Sequence, residues 1–152
     1  MSRDHIATIA LTADCLLDPG EQGALPGMPA LVSELSEHSA VLALCPDEAT
    51  AQRVREAYAE GAPWVRVVEM SGRAEDVAPG LIEGAGIEPA KTLVIDAAPR
   101  RCLRLARTIP YVGVFVDAER LYRDLGLWGI LPLEHSLARV RHHLAGRRAS
   151  SL

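Results

Sequence analysis

Short apolar runs recur along this chain, each cut off by polar or turn-forming residues. Ile6 to Leu11, Ala40 to Leu44, Thr92 to Ile95 and Tyr111 to Val116 have the length and near-continuous apolarity of strands covered on both faces. Trp64 to Met70 is more polar, with Val65 and Val67 alternating around Arg66, which predicts a strand nearer a sheet edge. Between these runs the apolar spacing lengthens to that of helices. Leu31, Val32 and Leu35 follow Pro29, Ala51, Val54 and Tyr58 lie within 48–60, and Cys102, Leu103 and Ala106 follow Pro99. A short helix is predicted over 79–85, stopped by Gly86, and Asp117 is placed to cap another over 118–125. Leu133, Leu137, Val140 and Leu144 form the stripe of a final helix over about 133–145.

Five alternations of strand and helix without an internal repeat predict a doubly wound, Rossmann-like α/β fold. Its five-stranded parallel sheet should carry helices on both faces. The 152 residues fit one domain, with its core over about 5–126 and a C-terminal helix and basic tail after it. The apolar link Gly126 to Pro132 joins the two; Trp128 within it is expected to pack under the final helix, the alternative being that Leu127 and Trp128 form a partner surface.

Composition narrows the function classes. A net charge of −4 argues against nucleic acid as a general partner, because such binding rests on neutralising many phosphates. The basic residues from Arg139 to Arg148 read as a solvated tail that complements a helix dipole. No run reaches the ~20 apolar residues of a membrane span, and the start MSRDH lacks a leader pattern, so a cytoplasmic protein without a membrane partner is expected. Cys15, Cys45 and Cys102 are too scattered for a disulfide framework or a zinc site. Lys91 is the single lysine among sixteen basic residues, a bias typical of high-GC bacterial genomes.

The candidate chemistry lies where the strands stop. Thr12, Asp14 and Cys15 follow the first run, Cys45 ends the second, Arg73 follows the third and Asp96 ends the fourth. In parallel α/β sheets, ligands gather beyond the carboxyl ends of strands. This layout, over about Ile6 to Gly126, resembles the haloacid dehalogenase-like superfamily, which consists mainly of Mg-dependent phosphatases acting through a phosphoaspartate. TADCLL aligns with the family's first motif, with Thr12 at the nucleophile position and Asp14 at the acid/base position. Cys45 stands for the second-motif Ser or Thr, and Arg73 for the basic residue after the third strand. IDAAP keeps Asp96 but has Ala97 where a second acid is usual. The spacings leave no room for a large cap domain, so the resemblance implies an open, capless pocket suited to a macromolecular substrate or a protein partner.

Chemistry separates this chain from the family's usual reaction. A carboxylate attacking phosphorus gives an acyl phosphate that water readily cleaves, whereas a threonine hydroxyl without an adjacent base is a poor nucleophile and leaves a stable ester. No cofactor is expected, since Asp96 alone would hold Mg²⁺ only weakly without substrate phosphates. The first expectation is therefore a catalytically degenerate domain, a pseudoenzyme kept for binding, in which Thr12, Arg73 and Asp96 surround an anion-sized site. The alternative is an enzyme of altered chemistry using Cys15 or Cys45 as a thiolate nucleophile with Asp14 as acid/base. A receiver-like domain would need an acceptor aspartate where Glu69, Met70 and Ser71 stand, and a dinucleotide fold a glycine-rich turn that TADCLL lacks.

Overall fold

The computed structural model describes residues 6–20, 23–58, 64–67 and 88–131. Arg73, the helix expected over 79–85, and the final helix over 133–145 with its basic tail lie outside the described residues. Strands β1 (Thr8–Thr12), β2 (Ala40–Cys45), β3 (Trp64–Val67), β4 (Thr92–Asp96) and β5 (Tyr111–Val114) pair in the order β3-β2-β1-β4-β5, every pair parallel. The described helices are α1 (Met28–Ser36), α2 (Glu48–Ala57), α3 (Pro99–Leu105) and α4 (Ala118–Leu127). The architecture is α/β and Rossmann-like, and β3 lies at an edge as its alternating pattern implies.

Strand periodicity of two explains the layers. Ile9 and Leu11 of β1, Val41 and Ala43 of β2, and Leu93 and Ile95 of β4 join one apolar cluster with Leu31 and Leu35 of α1, Val54 of α2, and Leu121 and Leu125 of α4. Ala10, Leu42, Leu44 and Val94 alternate with these residues and are also buried, but stand outside that cluster. Cys102 and Leu105 of α3, which packs on β4 and β5, stand outside it too, so α3 belongs to the second face.

Helix starts follow local chemistry. The side chains of Asp47 and Asp117 accept the backbone N–H groups of Thr50 and Arg120 at 2.7 and 2.8 Å, capping α2 and α4. Helix α1 begins differently, from Gly27 at φ 83°, with a proline in its first turn. A Cβ at Gly27 would stand 2.8 Å from the Cβ of Ala118, so a glycine is needed both for backbone conformation and for the approach of α1 to α4.

The link after α4 packs on the sheet. Trp128 is half-buried against the core and lies over β5, where a Cβ at Gly113 would come within 3.2 Å of the indole. Trp128 therefore packs against the domain, while Leu127 is 66% exposed and is the part of the candidate partner surface presented most fully to solvent.

Topology places a crevice at the centre of the sheet. The connection leaving β1 runs to β2 on one side, and that leaving β4 runs to β5 on the other. Because β1 and β4 are neighbours, their carboxyl ends open where the connections diverge, the position at which such sheets bind ligands.

Candidate functional site

Three polar groups from separate stretches converge at that crevice. Thr12 is the last residue of β1, a single 3-10 turn over Ala13–Cys15 carries Asp14, and Asp96 ends β4. Leu11 pairs with Ile95, so the register of β1 on β4 brings these strand ends together. Beyond them lies an open cleft of about 580 Å³ whose walls include Asp14, Asp18, Thr50, Arg53 and Ala98. No residue of the 126–131 link lines it, so the link does not seal the strand ends.

Asp96 is fully buried, and its carboxylate is bound from several sides. Oδ1 accepts the Thr12 hydroxyl at 3.1 Å, the Ala98 N–H at 3.2 Å and Arg101 Nη2 at 2.7 Å, while Oδ2 accepts Arg101 Nε. Three of these bonds fall on Oδ1 and one on Oδ2, so both oxygens of the carboxylate are engaged. Arg101 Nη2 also donates to Asp14 Oδ2 at 3.0 Å. One guanidinium therefore bridges two carboxylates. Its side chain is 28% exposed, between a buried Asp96 and an Asp14 that is 65% exposed. Hydrogen bonding to Asp96 raises the already high pKa of Arg101, despite the opposing cost of burial, so the bridging charge is permanent.

Arg101 escapes a motif reading because no family position calls for it. A physical signal was nevertheless present in the sequence. Arg101 falls in the first turn of α3, where the helix dipole disfavours a cation, and a cation there calls for a nearby anion to hold it. The chain supplies Asp96 and Asp14.

Thr12 is only 2% exposed and donates its hydroxyl proton to Asp96. The structure thus brings Thr12, Asp14 and Asp96 together as expected, but turns the hydroxyl inward, away from the cleft. Cys15 also lies close, with Sγ 3.4 Å from Thr12 Oγ1 and 3.6 Å from the Ile95 carbonyl, yet the residue is fully buried. Burial pushes its thiol up to about 12 and that of Cys45 up to about 11. Cys45 ends β2 just before α2, where a helix amino terminus favours a thiolate. Desolvation outweighs that position, and both sulfurs are apolar packing atoms.

The Mg²⁺ that the strand-end resemblance implies would have Asp96 as its one carboxylate ligand. The residues present do not fit it, because Arg101 already places its positive charge against both oxygens of Asp96 and against Asp14 beside it, where a dication would be repelled. Among the described residues, no group of three or more His, Cys, Asp or Glu side chains is arranged to hold a metal ion. None of their helices is long and apolar enough to cross a membrane.

The fold and crevice define a parallel α/β, Rossmann-like domain with a strand-end site. No protein-family model, curated protein or solved structure matches this chain.

Proposed function

We propose that this chain is a capless, haloacid dehalogenase-like domain that has exchanged phosphoaspartate chemistry for binding, its open strand-end cleft receiving a protein partner or another macromolecule. The observation carrying this reading is the state of the reacting groups. Thr12, at the nucleophile position, is buried and hydrogen-bonded to Asp96. Asp14, at the acid/base position, is ion-paired to Arg101. Phosphoryl transfer by this route needs an exposed carboxylate nucleophile at the first of these positions and a free acid/base at the second, and Thr12 and Asp14 supply neither. The cleft supports binding instead, since it is open and carries both charge signs, with Asp14 and Asp18 opposite in charge to Arg53.

The deciding experiment is a Mg²⁺-dependent aryl phosphatase assay on the wild-type chain, Asp14→Asn and the double variant Thr12→Asp/Ala97→Asp. The wild type and Asp14→Asn should both stay at the buffer rate. Wild-type turnover abolished by Asp14→Asn, or a phosphoryl adduct trapped on the chain, overturns the proposal. The double variant asks whether restoring both acids is enough. It is expected to remain inactive, because Arg101 still occupies the carboxylates.

A further inference from the structure

We infer that Arg101 is a tethered cation standing in for a divalent metal at the strand ends, and that Asp14 and Asp96 form a latent cation site which this one side chain keeps closed. This goes beyond the binding reading: that a divalent metal would belong at these strand ends rests on the resemblance used there, and the closure rests on the geometry of the three residues.

Two carboxylates from different strand ends meet at a single guanidinium, although they are eighty-two positions apart in the chain. Left without a cation, Asp96 would be a buried charge with only two neutral donors, Thr12 and the Ala98 N–H. Burying an unpaired carboxylate is costly, so this position needs a positive group. Arg101 supplies it from the first turn of α3, a place the helix dipole would otherwise leave to anions. The cation is thus held where the carboxylates need it rather than where its own helix favours it.

Arginine also differs from a metal ion in ways that fit a permanent closure. It cannot dissociate, and its proton is held by Asp96 well above any physiological pH. It engages both oxygens of Asp96 and one of Asp14, whereas Mg²⁺ or Mn²⁺ is commonly held by one or two carboxylates with waters completing an octahedron. Removing the guanidinium while leaving the two acids should therefore expose a site for a hard divalent cation.

The test is Mn²⁺ binding, read by calorimetry and by the paramagnetic signal of free Mn²⁺, on the wild-type full chain, Arg101→Gln, Arg101→Met and Arg101→Gln/Asp96→Asn. The wild type should show no saturable binding. Arg101→Gln and Arg101→Met should each bind one Mn²⁺ with a dissociation constant at least about tenfold below any wild-type value, consistent with two freed carboxylate ligands. The Asp96→Asn background should abolish that gain. Equal Mn²⁺ affinity in the wild type and the Arg101 variants overturns the inference, as does a folded Arg101 variant that binds none. If neither variant folds in metal-free buffer, refolding with millimolar Mn²⁺ decides the matter: recovery of the wild-type circular dichroism supports the inference and failure to recover overturns it. None of these readouts involves phosphate hydrolysis, so this inference and the binding proposal can fail separately.

Discussion

Arg101 holds Asp96 with two of its guanidinium nitrogens, Nε on Oδ2 and Nη2 on Oδ1, and so ties the first turn of α3 to the end of β4. Breaking such a buried pair by removing one partner typically costs about 3–5 kcal/mol, because the other charge is left without compensation. Partial exposure of Arg101 moves its expected cost toward the lower end of that range. Arg101→Ala should therefore destabilise the domain by about 3 kcal/mol in urea unfolding. Asp14→Asn should cost no more than about 1 kcal/mol, since Asp14 is the exposed arm of the bridge. Equal losses from the two variants would show that Asp96 does not dominate the network.

The thiols give a pH prediction. Burial raises Cys15 and Cys45 from about 9 to about 12 and about 11, so the folded state keeps protons that the unfolded state has already released. Below the unfolded value both states are protonated and this contribution to stability is fully present. It falls as pH rises from about 9 and is lost through the folded values of about 11 and 12. Unfolding free energies should thus decline between pH 9 and 11, less steeply in a Cys15→Ala/Cys45→Ala variant. In native protein at neutral pH, iodoacetamide should label neither residue, as read by peptide mass spectrometry. Rapid labelling of either would reinstate a thiol mechanism.

The contact between α1 and α4 rests on Gly27. An alanine there meets both a positive φ and the Cβ of Ala118 at 2.8 Å, and a Cβ, fixed to its own helix backbone, has no torsion by which to move away. Gly27→Ala should cost about 1–3 kcal/mol, from strain and overpacking together. Thermal unfolding measures it, and an unchanged midpoint would mean that the two helices do not approach this closely.

Leu127 and Trp128 are adjacent but should respond differently. Leu127→Ser should alter stability by less than about 0.5 kcal/mol, because its side chain is mostly in water. Trp128→Ala removes an indole packed over Gly113 and should cost about 2 kcal/mol, less than a fully buried tryptophan. Chemical denaturation of the two variants distinguishes the positions. Leu127 remains the residue through which to probe a partner at this corner, since changing it leaves the fold intact.

Much of the architecture was written in the chain order. Apolar runs at Ile6, Ala40, Thr92 and Tyr111 became β1, β2, β4 and β5, and the turns between them carried helix starts that local rules recognise, Asp117 and Pro99 among them. Strands β1, β2 and β4 are buried on both faces and so must be apolar nearly throughout, and a helix must be apolar on one side; β5 is equally apolar but lies at the sheet edge with Val114 exposed. The meeting of Thr12, Asp14 and Asp96 was also legible, because parallel strands that alternate with helices deliver their carboxyl ends to one edge.

What lies in those side chains' surroundings was settled only in three dimensions. Whether a cysteine near that edge is a thiolate or a packing atom depends on desolvation, a property of everything around it and of nothing adjacent in sequence. The same holds for Trp128, which packs over β5 because Gly113 leaves room for it. Above all, residues 14, 96 and 101 share one ion-pair network because β1 lies beside β4, and strand order is a long-range choice that local periodicity does not encode. The residue types in this chain determine a layered α/β domain with acids at its strand ends. Only the pairing of β4 with β1, with α3 packed on β4, determines that an arginine, already in place, answers their charge.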